Sequence, residues 1–195
     1  MSNNNFLEDI KQQINSSINV KQSILADESL LLLIYNIAKV MIEAVNRDNK
    51  IIFFGNGGSA ADAIHVTAEL VGGMSKKNAK ALPAISLCEN LSSITAISND
   101  YSYEDVFKRQ MEAIGRKDDV AIGISTSGNS KNVIEALKTS KNIGLTTIGF
   151  TGMNKGEMLN ICDYLLQVPS NNTQKIQEAH IMIWHIIVEI VEKNF

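Results

Sequence analysis

Proline is scarce in this 195-residue chain, with two residues in all. So few prolines leave nothing to mark a linker between domains, and the length suits one domain, residues 1–195, with a sizeable core. Cysteine is as scarce. Cys88 and Cys162 lie far apart and form no CxxC pair, which argues against a local redox motif and fits a reducing cytoplasm. Positive charge is not in excess either. A formal net charge of −3 offers no basic field to nucleic acid or anionic lipid. Long apolar runs are missing. The start, MSNNNFLEDI, has no signal core, and the longest apolar stretches fall short of a membrane span. The expectation is a cytoplasmic protein with neither a nucleic-acid nor a membrane partner. What is present is 45% hydrophobic residues, the composition of a globular protein.

The first 48 residues read as two helices. The second, Asp27 to Asn46, is apolar on more than one face, so it is buried in its own chain or packs on another subunit. From Lys50 onward short apolar runs alternate with helical stretches. IIFF (51–54), AISL (84–87), VAIGI (120–124), LTTIGF (145–150) and YLLQV (164–168) read as strands, with helices near 59–71, 103–115, 130–141 and 155–161 between them. Continuous apolar strands alternating with helices predict an α/β fold. Its sheet is parallel and covered on both faces. The last segment, from Thr173, is one long helix.

Two loops follow strands on the same plan. In the first, Gly55, Gly57 and Gly58 permit a sharp turn, Ser59 is placed to cap the next helix, and Asp62 completes a capping-box pattern. The second, STSGNS, brings the hydroxyls of Ser125, Thr126, Ser127 and Ser130 before another helix. Ligands of an open parallel sheet bind beyond the carboxyl ends of its strands. Amides at a helix start, joined by hydroxyls, suit a phosphate monoester. GxxxxGK[ST] and GxGxxG are both absent, so neither a triphosphate P-loop nor a dinucleotide fingerprint is present.

On a helix starting at Ser59, residues Asp62, His65 and Glu69 share one face. They form either a solvated stripe with an ordinary i,i+4 pair or an extension of the anion site. His185 lies in IMIWHIIVEI, where nearly every neighbour is apolar. It reads either as a satisfied core residue or as an imidazole tuned by burial for proton transfer or metal binding. Gln177 lies about 12 Å earlier along the same helix. HxxxE plus a further histidine can hold zinc, though spacing does not show that they meet.

GNGGSAADAIHVTAEL, AISND, GISTSGNSKNVIEAL and KIQEAHIMIWH, in that order, resemble the phosphoheptose isomerases, a branch of the sugar isomerase (SIS) domain family. The likeness runs from about residue 30 to the end. It implies a single SIS domain: a five-stranded parallel sheet flanked by helices, with N-terminal helices and a long C-terminal one. It implies a homotetramer with active sites at subunit contacts, and interconversion of sedoheptulose 7-phosphate with D-glycero-D-manno-heptose 7-phosphate for surface-glycan synthesis. Ser125, Thr126, Ser127 and Ser130 would hold the phosphate. Asn56, Gly57, Gly58 and Ser59, with Asn99, Asp100 and Gln177, would line the sugar site. His65, Glu69, Gln177 and His185 match the zinc site, one ion per subunit, and Glu69 and His185 match the acid–base pair. No redox or nucleotide cofactor is implied. Three positions depart from the pattern: Gly73 where an arginine is common, with Lys76 or Lys77 as substitutes, Lys175 for another arginine, and Gln174 for an aspartate. Two rivals share the loops: a non-catalytic SIS module that senses a sugar phosphate or binds a protein, and an isomerase of another sugar phosphate.

Overall fold

The computed structural model describes residues 3–74 and 79–195. Two helices, α1 (Asn3–Ala26) and α2 (Glu28–Asn46), lead into an alternating series. It comprises β1 (Ile51–Gly55), α3 (Gly58–Gly72), β2 (Ala84–Ser86), α4 (Leu91–Asp100), α5 (Val106–Ile114), β3 (Val120–Ile124), α6 (Lys131–Ile143), β4 (Thr146–Thr151), β5 (Tyr164–Gln167) and α7 (Thr173–Glu192). The strands form one parallel sheet in the order β2-β1-β3-β4-β5. β1 and β3 are buried at every residue, as strands covered on both faces must be. Alternate side chains enter two cores. Ile51, Phe53, Ile122 and Phe150 pack with α2, α3 and α7, while Ile52, Phe54 and Ala121 pack with α5 and α6.

The sheet order reverses direction between β1 and β3, which creates the crevice where open α/β sheets bind ligands. Gly55 and Ile124 are register partners there. The glycine loop and the hydroxyl loop, 70 residues apart in sequence, therefore leave the sheet side by side. The polar stretch before Asn99 is the helix α4, which the sequence does not suggest. Asn90 caps it by accepting from Ser93 N at 3.0 Å. The helix expected near 155–161 is only a 3-10 turn, Glu157–Asn160, and another, Tyr103–Asp105, precedes α5.

At the opposite ends of these strands one carboxylate ties the starts of β1 and β3. Asp119 is 1% exposed. It accepts from Lys50 N at 3.0 Å, Arg116 N at 2.8 Å and Lys50 Nζ at 2.5 Å. Burial pushes this carboxyl up, but these bonds outweigh it and hold the group below the usual carboxylate range. Asp119→Ala strands a lysine and two backbone amides at once. It is expected to cost about 3 kcal/mol in a urea denaturation series, and a loss under about 0.5 kcal/mol would refute this role.

Candidate active site

The first loop turns at Asn56 and Gly57, and α3 begins at Gly58 with Gly57 at its N-cap. Ser59 lies inside the first turn, 3% exposed, and no side chain caps the helix, contrary to the expected capping box. Asp62 is consequently left without that partner. Its Oδ2 is buried without a partner among the described residues, and burial pushes its carboxyl up to about 6 against the opposing charge of His65. Gly58 serves close approach: a Cβ there would lie 2.5 Å from Gln177 Nε2, so only glycine lets the Gln177 amide rest on this loop.

Farther along, α3 meets α7 again. His65 Nε2 lies 3.0 Å from Glu69 Oε1, His185 Nε2 lies 3.3 Å from the same oxygen, and the two Nε2 atoms are 3.4 Å apart. Residues 120 positions apart in the chain thus form one cluster, whose donor atoms are grouped as a metal site requires. Glu69 Oε2 is buried without a hydrogen-bond partner among the described residues. The side chains of His65 and His185 are 51% and 46% exposed, so the cluster opens outward and a substrate can reach it.

His185 is therefore not the buried imidazole that its apolar neighbours suggest. That residue is His180, which sequence reasoning missed. It is fully buried, packs edge-on to Phe150 and donates from Nε2 to Thr151 O at 3.2 Å. The signal was helical period: Ile176, Ala179, His180, Ile183, Trp184, Ile187, Val188 and Val191 form the buried stripe of α7, and position 185 falls off it.

The second loop holds its hydroxyls together. Ser125 Oγ lies 2.9 Å from Ser130 Oγ and 3.4 Å from Ser127 Oγ. Ser130 stands at the N-cap of α6 but makes no capping bond, so the first amides of that helix are not served by its side chain. Gly128, with φ of +68°, gives the turn its left-handed step, and any side chain there would overlap Lys155 O. Thr126 and Ser127 also line a cavity of about 110 Å³ with Ser170 and Thr173. Hydroxyls and helix amides in this arrangement suit an anion.

Asn99 and Asp100 end α4 exposed, bonded to each other at 2.8 Å and not to the histidine cluster. Gly73 is the C-cap of α3, and Lys76 and Lys77 lie outside the described residues. Lys175 is buried and paired with Glu178 at 2.8 Å. Gln174 sits in the first turn of α7, its backbone N–H donating to Oδ1 of the Asn172 cap.

The chain belongs to the SIS domain family, whose pattern matches residues 11–152, and within that family it groups with the phosphoheptose isomerases. A phosphoheptose isomerase of Clostridium acetobutylicum is 51% identical over 185 residues, covering 95% of this chain and 94% of that protein. The solved phosphoheptose isomerase of Neisseria gonorrhoeae is 38% identical, with a TM-score of 0.90 over 96% of this chain and 99% of the other. That of Francisella tularensis is 32% identical, with a TM-score of 0.92 over 99% and 100% of the two chains.

Burial lowers His180 from the ordinary 6.5 to about 4, partly offset by its bond to Thr151. A group with a depressed folded pKa binds its proton more readily when unfolded. Its share of stability is complete above about pH 6.5 and is lost as pH falls toward about 4, amounting to about 3 kcal/mol at full extent. Asp62, raised from 3.8 to about 6, acts in the opposite sense as pH rises through that range. The difference between the wild type and His180→Phe isolates the histidine. Unfolding free energies from pH 4 to 7 are expected to fall less steeply on acidification in the variant, and parallel curves would contradict the assignment.

Proposed function

We propose that this isomerase interconverts sedoheptulose 7-phosphate and D-glycero-D-manno-heptose 7-phosphate, feeding nucleotide-activated heptose into lipopolysaccharide, capsule or another surface glycan. The substrate follows the name its relatives carry. The observation that carries the chemistry is the contact of Glu69 with His185 across α3 and α7. Aldose–ketose exchange moves a proton between C1 and C2 through an enediol, which needs one group for the carbon proton and another for the oxygen. Glu69 is the base. Its Oε1 lies in the cluster that opens outward between the two half-exposed imidazoles, where a substrate carbon can reach it. His185, half-exposed and held against that carboxylate, is the partner acid. Ser125, Thr126, Ser127 and Ser130 grip the phosphate through hydroxyls and the start of α6.

The donor set also fits zinc. Tetrahedral ligands about 2.0–2.1 Å from an ion stand about 3.3–3.4 Å from one another, and the separations in the cluster are 3.0, 3.3 and 3.4 Å. His65, Glu69 and His185 would hold the ion, with Gln177 as the remaining ligand the family likeness implies. When bound, zinc would polarise the carbonyl and hydroxyl oxygens of the sugar.

We propose further that the chain acts as a homotetramer in the cytoplasm, as one SIS domain spanning its length. Phe6, Ile10, Ile14 and Ile18 recur every fourth residue along α1, each at least 43% exposed, and Leu32 and Tyr35 extend the apolar surface onto α2. A helix face of that kind supports packing between copies. Among the described residues no helix is long and apolar enough to cross a membrane.

Glu69→Gln and His185→Ala are each expected to lower kcat on sedoheptulose 7-phosphate at least about 100-fold, with the fold intact by circular dichroism. Binding of the sugar phosphate without turnover by the parent protein would favour a sensor instead. Metal analysis of purified protein is expected to find zinc, reduced by His65→Ala. Equal metal content in parent and variant would remove His65 from the ligand set.

A further inference from the structure

Asn132 is a buried amide in the first turn of α6, 3% exposed, outside both the histidine cluster and the hydroxyl group. Its Oδ1 accepts from the backbone N–H of Val133 at 3.0 Å and from Asn56 Nδ2 at 2.8 Å. Its Nδ2 donates to Asn56 Oδ1 at 2.8 Å. Tyr103, from the 3-10 turn before α5, donates its hydroxyl to the same Asn56 oxygen at 2.9 Å. Two separate elements thus converge on the side chain that opens the first glycine loop.

The direction of these bonds is determined. A backbone N–H can only donate, so Val133 decides which end of the Asn132 amide is oxygen. The other end, Nδ2, must then face the oxygen of Asn56. Two donors occupy the two lone pairs of Asn56 Oδ1, and Asn132 takes one of the two Nδ2 protons. An asparagine amide has two acceptor and two donor positions, so one N–H is all that Asn56 retains.

We propose that Asn132 and Tyr103 are positioning residues that lock the Asn56 amide so that the first loop presents a single donor to a sugar oxygen. The inference rests on the reading that Asn56 lines the sugar site. It gives that contact a direction: the partner is an accepting hydroxyl or carbonyl oxygen of the polyol chain. Neither Asn132 nor Tyr103 is assigned a share in proton transfer, so their loss acts on binding rather than on turnover.

Steady-state kinetics on sedoheptulose 7-phosphate with Tyr103→Phe, Asn132→Ala, Asn56→Ala and the double variant N56A/N132A test this, alongside thermal melting. Tyr103→Phe and Asn132→Ala are each expected to raise KM about fivefold, the worth of one hydrogen bond, with kcat within about twofold of the parent. In the N56A background Asn132→Ala is expected to add nothing. Tyr103 is exposed, so its variant keeps the test alive if Asn132→Ala fails to fold. An unchanged KM in Tyr103→Phe, or a full additional penalty in the double variant, would overturn the positioning role. A normal KM in Asn56→Ala would instead overturn the underlying placement of Asn56, and the two failures are distinct.

Discussion

The site depends on how the last helix is seated. Trp184 is fully buried, stacked on Phe150 of β4 at 4.0 Å and edge-on to Phe53 of β1 at 5.4 Å, so the indole seats α7 on the two strands that flank β3. The next residue along a helix points about 100° away. Fixing Trp184 inward therefore fixes His185 outward, toward α3, where it meets Glu69. Aromatic pairs of this kind add stabilisation beyond their buried area. The contact of Glu69 with His185, proposed above as the acid–base pair, therefore depends on α7 being packed on the sheet.

A second constraint is the parallel order of the strands. With β1 beside β3, two loops of similar construction emerge together, one rich in glycine and one rich in hydroxyls. Neither loop carries a cation of its own aimed at an anion. Lys175, buried in α7, is tied to Glu178, and Lys131 at the head of α6 reaches across to Glu104 at 2.9 Å. On the reading proposed above, phosphate would be recognised by the neutral hydroxyls and helix amides of the second loop. Such groups are directional where a lysine is a point charge, and they discriminate by geometry more than by charge.

Most of this was legible beforehand, and what was not has physical reasons. The five strands appear as apolar runs because both faces of the sheet are covered. The loops stand out because glycine and clustered hydroxyls are distinctive. α4 was not legible because its Ser, Thr and Asn content reads as loop, and its cap at Asn90 lies in the same polar stretch. The two histidines of α7 were not sorted correctly, since local apolarity draws attention to His185 whereas the helical stripe selects His180 for the core. Ser59 looked like a cap because of its residue type, but the helix starts one residue earlier at a glycine. Contacts between distant residues, such as Glu69 with His185 or Asn56 with Asn132, have no local signature.

The polar residues proposed to meet the sugar divide into two kinds. Asn56 is fixed from below by Asn132, an amide too deeply buried to be left unsatisfied, because an unpaired amide in that setting would cost more than its bonds return. Among the described residues, the side chains of Asn99 and Asp100 are bonded to each other, on an exposed helix end. The first kind is organised before any ligand arrives and can impose a direction on a hydrogen bond. The second can exchange its one internal bond for a bond to substrate or to a neighbouring copy at little cost, since water already competes for both groups.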